Sequence, residues 1–328
     1  MVSSHVNFAN ENEVCFNSVS DFNLSNSLGN SGIDNKCDKP DGWNDENTQG
    51  CVSRCTPPPI LLVHGIYSSD TMWDQVENAL QAEGFTTYRV GESQNSQLNS
   101  NSPGLLPNNG NIVLLSEQVR NAIQNIKTYT GRNKVNVIAH SMGGLVTRWY
   151  IKDPDYMNDI DKLITLGTPN EGAPIAQNQI AFLFGLTLGV TGSNTIVADT
   201  ARYQMIPGSS FLQALNNNFD TYGIEHSEIA GTSLPQNLSL FLSLCLIQPS
   251  YCSLNSVTDS IVPRYSVNIP NINCYQRHVV HQDQLGVAYY EDNYTIDNVI
   301  KILKDEPVNL QNCPSEDEGL SKELLNNV

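Results

Sequence analysis

Val135-Asn136-Val137-Ile138-Ala139-His140-Ser141-Met142-Gly143-Gly144-Leu145-Val146-Thr147-Arg148-Trp149-Tyr150 is the stretch that decides the fold of this chain. Its first four residues make the apolar run of a buried strand, and the residues from Leu145 continue as a helix. Between the two, Ala139 and Gly143 flank Ser141 where a sharp strand-to-helix turn leaves least room for side chains. Strand, tight turn and helix are the context in which a serine projects its hydroxyl from the C-terminal edge of a sheet. Ala139 stands where glycine is commoner, which weakens the signature and keeps its steric logic. The N–H of Met142, at the start of the helix, can then face a developing oxyanion. The plain alternative is a serine in an ordinary turn.

A serine nucleophile needs a base, and the chain offers only His5, His64, His140, His226, His278 and His281. In the order that accompanies such a turn, an acid and then a histidine follow the serine. That leaves His278 and His281. Residues 275–280 read as the last strand, and His281 stands where it ends, ahead of a final helix beginning near Tyr294. His281 is therefore preferred; His278, inside the strand, is the alternative. The acid should lie in a loop after an earlier strand, where it can orient the imidazole and stabilise its charged form. Asp259 fits, because Ile261, Val262 and Pro263 after it suggest a fixed loop. A turn-forming Asp is the competing explanation, and Asp220, Glu225 and Glu228 are rivals, the last two at or in a strand expected over 226–230. A second oxyanion donor belongs after an early buried strand, for which Pro59-Ile60-Leu61-Leu62-Val63 qualifies. There Gly65 lets the backbone turn tightly so that the N–H of Ile66 faces that of Met142, while His64 braces the loop.

The chain resembles secreted lipases and esterases of the alpha/beta-hydrolase superfamily, bacterial triacylglycerol lipases among them. Four segments carry the resemblance in the right order across residues 57–305: Leu62-Val63-His64-Gly65-Ile66, Ala139 to Gly144, Leu166-Gly167-Thr168-Pro169-Asn170-Glu171-Gly172, and Asp259 to Pro263. It implies ester hydrolysis through an acyl-enzyme, with Ser141, Asp259 and His281 as the triad and the N–H groups of Ile66 and Met142 as the oxyanion hole. It implies neither a cofactor nor a catalytic metal. His281-Gln282-Asp283 echoes an H-x-D segment whose Asp binds calcium in several bacterial lipases; the rest of that pattern is not recognisable, and a solvated Asp283 is the simpler expectation.

Alternating strand and helix patterns around these segments indicate an α/β fold, with a mostly parallel central sheet, helices on both faces and a lid-like insertion. Trp73, Val76 and Leu80 mark one helical face, residues 85–90 a strand, Ile112, Leu115, Val119, Ile123 and Ile126 a second helix, and residues 162–166 another strand. The chain divides into a Cys-containing, loop-rich extension over 1–56, a hydrolase domain over 57–306 with its insertion over about 171–225, and a tail over 307–328. Two apolar stretches, 180–190 and 238–247, are candidates for an acyl pocket or a lid over Ser141, with ordinary core helix as the alternative.

Composition bounds the setting. With 34 acidic against 17 basic residues, the formal net charge of −17 makes nucleic acid a poor partner and weakens electrostatic docking on anionic membranes. A small-molecule, lipid or polymeric ester substrate fits better. No run reaches the length of a membrane span, contact with a lipid interface stays open, and nothing specifies the oligomeric state. Eight cysteines without paired two-cysteine knuckles read as disulfides rather than a zinc site, which favours a secreted, extracellular protein although the first residues do not look like a signal peptide. Cys245 with Cys252 is the one local pairing suggested. Asn23, Asn237 and Asn293 lie in glycosylation acceptor patterns, which arise readily by chance in so Asn-rich a chain. A polyester depolymerase or an acyltransferase could use the same triad, and a non-catalytic binding protein on a hydrolase fold is the rival from a different class.

Overall fold

The computed structural model describes residues 8–10, 13–14, 31–33, 36–37, 57–66, 68–90, 110–177, 200–233, 259, 261–281 and 288–314. The chain separates into two compact units, Met1–Pro57 and Pro58–Val328. In the first, short strands β1 (Phe8–Asn10) and β3 (Ser31–Ile33) pair in parallel, as do β2 (Glu13–Val14) and β4 (Lys36–Cys37).

The second unit is an alpha/beta-hydrolase fold built on one seven-stranded sheet. Its strands are β5 (Ile60–Val63), β6 (Thr87–Arg89), β7 (Val135–His140), β8 (Ile160–Leu166), β9 (Glu225–Gly231), β10 (Asn273–Arg277) and β11 (Gln311–Asn312), in the spatial order β6-β5-β7-β8-β9-β10-β11. Every neighbouring pair is parallel except β10 with β11. A parallel strand covered on both faces carries apolar residues on both, which is why β5 is an unbroken Ile-Leu-Leu-Val run, buried throughout. Its alternate residues enter different cores. Leu61 and Val63 join the side holding α2 (Ile112–Thr130) and α3 (Met142–Lys152), whereas Ile60 and Leu62 join the side holding α1 (Asp74–Ala82) and the helix Asn293–Leu303. The two clusters are the two faces of one sheet.

Local chemistry sets the helix ends. The Asn111 side chain accepts from the N–H of Val113 at 2.9 Å and starts α2, and Gly131 ends it in the left-handed region at φ 69°. Asp292 caps the helix Asn293–Leu303, accepting from the Thr295 N–H at 3.1 Å and the Thr295 hydroxyl at 2.7 Å.

The expected last strand is corrected at both ends. It runs from Asn273 to Arg277, because the Val279 N–H turns back to the Arg277 carbonyl at 2.9 Å and breaks the ladder. His278 consequently lies beyond the strand and exposed, not inside it. The expected strand over 85–90 is likewise shorter, with Phe85 buried in the turn that leads into it. The antiparallel edge strand β11 had no signal, being two polar residues with no alternation to read. Among the described residues, no helix is long and apolar enough to cross a membrane. The stretches 180–190 and 238–247, Asp283, and Cys245 with Cys252 lie outside the described residues.

Candidate active site

Four segments meet at the C-terminal edge of the sheet, where ligands bind in open α/β folds. The loop after β5 brings Gly65 and Ile66, the turn after β7 brings Ser141, and the chain beyond β9 and beyond β10 brings Asp259 and His281. Ser141 adopts φ 54°, ψ −129°, a backbone conformation that L residues seldom take. It is held there from β8: the Ser141 N–H donates to the Leu166 carbonyl at 2.9 Å, and the Thr168 hydroxyl donates to the Ser141 carbonyl at 3.0 Å. The strained turn lifts the hydroxyl off the sheet.

His281 Nε2 stands 2.9 Å from Ser141 Oγ, and His281 Nδ1 stands 2.7 Å from Asp259 Oδ2. Exposure is 6% at Ser141, 1% at His281 and 0% at Asp259, so the chain of groups is dry except at the serine. The Asp259 loop folds on its own carboxylate. Oδ1 accepts from the N–H groups of Ile261 at 3.0 Å and Val262 at 2.7 Å, and the Asp259 carbonyl accepts from the His281 N–H at 2.8 Å. With Nδ1 donating to Asp259, Nε2 is left to accept from the serine hydroxyl. That is the arrangement a general base needs.

Met142 begins α3, and the first N–H groups of a helix have no intrahelical acceptor and carry its positive end. Ile66, buried at 3% exposure, follows Gly65, on which a Cβ would come 2.8 Å from Ser141 Cβ and 3.3 Å from its Oγ. Gly65 is therefore the close approach between the β5 loop and the serine turn. On Gly143 a Cβ would meet the Val63 and His64 carbonyls at 2.6 and 2.7 Å, which accounts for a small residue there. The His64 ring turns back on its own loop, with Nδ1 3.0 Å from the Gly65 carbonyl.

The alternatives go elsewhere. His278 is exposed, with Nε2 3.4 Å from Ser233 Oγ. Asp220 accepts from the Tyr222 N–H at 2.9 Å, and Glu225 pairs with Lys162 at 2.6 Å. Glu228 and His226 belong to a separate buried cluster centred on Asn170. The Asn170 amide accepts from Arg148 at 2.7 Å and donates to Glu228 Oε1 at 2.7 Å and to the Val267 carbonyl at 2.6 Å. Burial pushes Glu228 up to about 8, His226 down to about 3 and Arg148 down to about 10. This cluster ties α3 to β9 and to the segment after Asp259.

Two neighbours of the site had no role in the sequence. Thr168 lies in a quoted segment, yet nothing in a sequence says that its hydroxyl reaches Ser141. Tyr289 belongs to no motif at all, and its hydroxyl donates to Asp259 Oδ2 at 3.0 Å. His140 packs its ring 4.7 Å from that of His281; burial, with His281 and His64 nearby, holds it well below the usual histidine range and so neutral.

A family model for lipase (class 2) matches residues 57–234, just over half of the chain. A triacylglycerol lipase of Pseudarthrobacter phenanthrenivorans is 27% identical over 124 residues, covering 36% of this chain and 35% of that one, and a triacylglycerol lipase of Burkholderia plantarii is 27% identical over 124 residues, covering 36% and 31%. The match thus spans about a third of the length of these relatives. Among solved structures, the mature Bacillus licheniformis lipase BlEst2 superposes with a TM-score of 0.56 at 16% identity, over 76% of this chain and 92% of that one. Phospholipase PlaB from Legionella pneumophila superposes with a TM-score of 0.59 at 14% identity, over 82% and 63%. At these identities the superpositions establish the fold alone.

Proposed function

Since the chain belongs to the class 2 lipase family, we propose that it is a serine carboxylic-ester hydrolase acting on acyl esters through an acyl-enzyme. Ser141 attacks the ester carbonyl while His281 takes its proton, and Asp259 orients the imidazole and stabilises its charged form. The N–H groups of Ile66 and Met142 receive the oxyanion. The alcohol departs with the proton from His281, and water activated by the same imidazole releases the acid. The observation that carries this reading is the unbroken sequence of contacts from Ser141 Oγ through His281 to Asp259, at 2.9 and 2.7 Å.

The substrate class is a lipid or other water-poor ester, on the strength of family membership together with a chain whose charge of −17 suits uncharged substrates better than polyanions. We place the protein outside the cytosol, because it carries a disulfide between Cys274 and Cys313.

Labelling with a fluorophosphonate tests the mechanism directly. Wild-type protein takes up one label and hydrolyses a p-nitrophenyl ester with a burst. Ser141→Ala takes up none and loses on the order of 10⁴-fold or more in kcat while keeping its circular dichroism. Turnover unchanged in Ser141→Ala would overturn the assignment.

A further inference from the structure

Both carboxylate oxygens of Asp259 are engaged by protein groups. Its Oδ1 is filled by the N–H groups of Ile261 and Val262, which belong to its own loop. Its Oδ2 faces His281 Nδ1 at 2.7 Å and accepts from the Tyr289 hydroxyl at 3.0 Å. Both Asp259 and Tyr289 have 0% exposure. A phenol buried without a partner is costly, so a tyrosine here is tied to having an acceptor, whereas a phenylalanine would fill the same volume without one.

Two glycines clear the space in which hydroxyl and carboxylate meet. A Cβ on Gly231, the last residue of β9, would stand 2.5 Å from both Asp259 Cβ and the Tyr289 hydroxyl. A Cβ on Gly167, just past β8, would stand 2.9 Å from Asp259 Oδ2 and 3.0 Å from the same hydroxyl. The ends of two adjacent strands are thus kept bare around one hydrogen bond. Burial, and then the neighbouring Asp259 charge, push the Tyr289 hydroxyl well above the usual tyrosine range, so it remains a donor across the working pH range.

We propose that Tyr289 is a positioning residue for the Ser141–His281–Asp259 site, one that fixes Asp259 Oδ2 in the plane of the imidazole and draws off part of its negative charge. The inference rests on the hydrolase reading above. A carboxylate that shares its charge with a phenol holds an imidazolium less tightly than one that does not, so Tyr289 loosens the hold of Asp259 on the charged ring. Among the described residues, the groups facing His281 are Ser141, Asp259, His140 and Tyr289, with His64 and Tyr290 beyond His140. His140 is neutral and Tyr289 protonated. Among these groups Asp259 is the anion, and its hold on the ring is what Tyr289 adjusts.

The test is Tyr289→Phe, with Tyr129→Phe, an exposed tyrosine on α2, as the control. In Tyr289→Phe the acid limb of kcat/KM against pH moves upward by roughly half a unit to one unit. The downfield proton resonance of the His281–Asp259 hydrogen bond moves with it, and kcat at the optimum falls by about tenfold. Tyr129→Phe reproduces the wild-type profile. A fall in rate with the acid limb and the downfield proton unmoved would overturn the proposal, as would a wild-type rate and profile. Should Tyr289→Phe fold poorly, the proton resonance is read on the folded fraction, and no displacement there again refutes it. Failure of the hydrolase reading looks different: wild-type protein would then take up no fluorophosphonate and show no ester turnover.

Discussion

Ser141 at φ 54°, ψ −129° is held in a strained backbone state that costs of order 1–3 kcal/mol and persists because its surroundings over-determine it. Gly65 is one of those surroundings: the turn after β5 approaches Ser141 so closely that a single methyl group would press on the serine side chain. Gly65→Ala should therefore push Ser141 Oγ off the line to His281 Nε2. Displacements of about 1 Å at reacting atoms cost about 100-fold, and that is the loss expected in kcat/KM, beside a destabilisation of about 1–3 kcal/mol from crowding. Steady-state kinetics paired with urea unfolding checks it, and full activity in Gly65→Ala would show that the approach does not constrain the serine. Ser141 and Gly65 were both legible as residues, because steric demands at a tight turn narrow the choice of amino acid. The role of Tyr289 was not, because a hydrogen bond across 30 positions leaves no trace in spacing.

The cluster linking α3, β8's following loop and β9 shows what elements add. Arg148, Asn170, His226 and Glu228 come from three separate segments, and all are buried. His226 stays neutral in this setting, with a value near 3 against an ordinary 6.5, through burial and then Arg148. Between those two values the unfolded chain binds the proton that the folded chain refuses. Stability contributed by this residue is thus whole above pH 6.5 and is lost as pH falls toward 3, at up to about 1.4 kcal/mol per pH unit. Glu228 works in the opposite direction: raised from 4.5 to about 8, it favours the folded state less as pH rises through that window. Comparing His226→Gln with wild type cancels the Glu228 contribution to first order. Urea titrations at pH 7 and pH 4.5 should show the variant losing less stability on acidification; parallel losses would mean that His226 takes up its proton without cost. The strands and long helices around this cluster were readable from their hydrophobic period. Its polar contacts were not: the sequence preferred Asp259 and kept Glu228 only as a rival inside a strand, and nothing in the spacing pointed Glu228 to Asn170.

Over the second unit as a whole, the sheet closes with a device that hydrophobic patterning does not announce. β11 pairs antiparallel with β10, and a disulfide ties Cys274 of β10 to Cys313, the residue just past β11, at a Cα–Cα distance of 5.2 Å across 39 residues. That loop contains His281, Tyr289 and the helix Asn293–Leu303. By the loop-closure argument such a cross-link stabilises by up to about 4 kcal/mol. Cys274→Ser with Cys313→Ser should lower stability by about 2–4 kcal/mol in urea titrations, and should raise the sensitivity of ester turnover to mild heating, because His281 hangs on the released loop. Equal stability with and without the bridge would place the cross-link outside the folding energetics.

Patterning within a few residues of one another settled most of what could be read in advance: β5 and β7 as buried strands, α2 from its 3.6-residue period, the serine turn from the sizes of its neighbours. These are local demands, answered by local choices of side chain. Which carboxylate meets which imidazole is a different kind of question. Asp259 and His281, with Tyr289 behind them, acquire their geometry from loops returning to one edge of a parallel sheet, and distances of that sort are set by how strands and helices pack rather than by the order of residues along the chain.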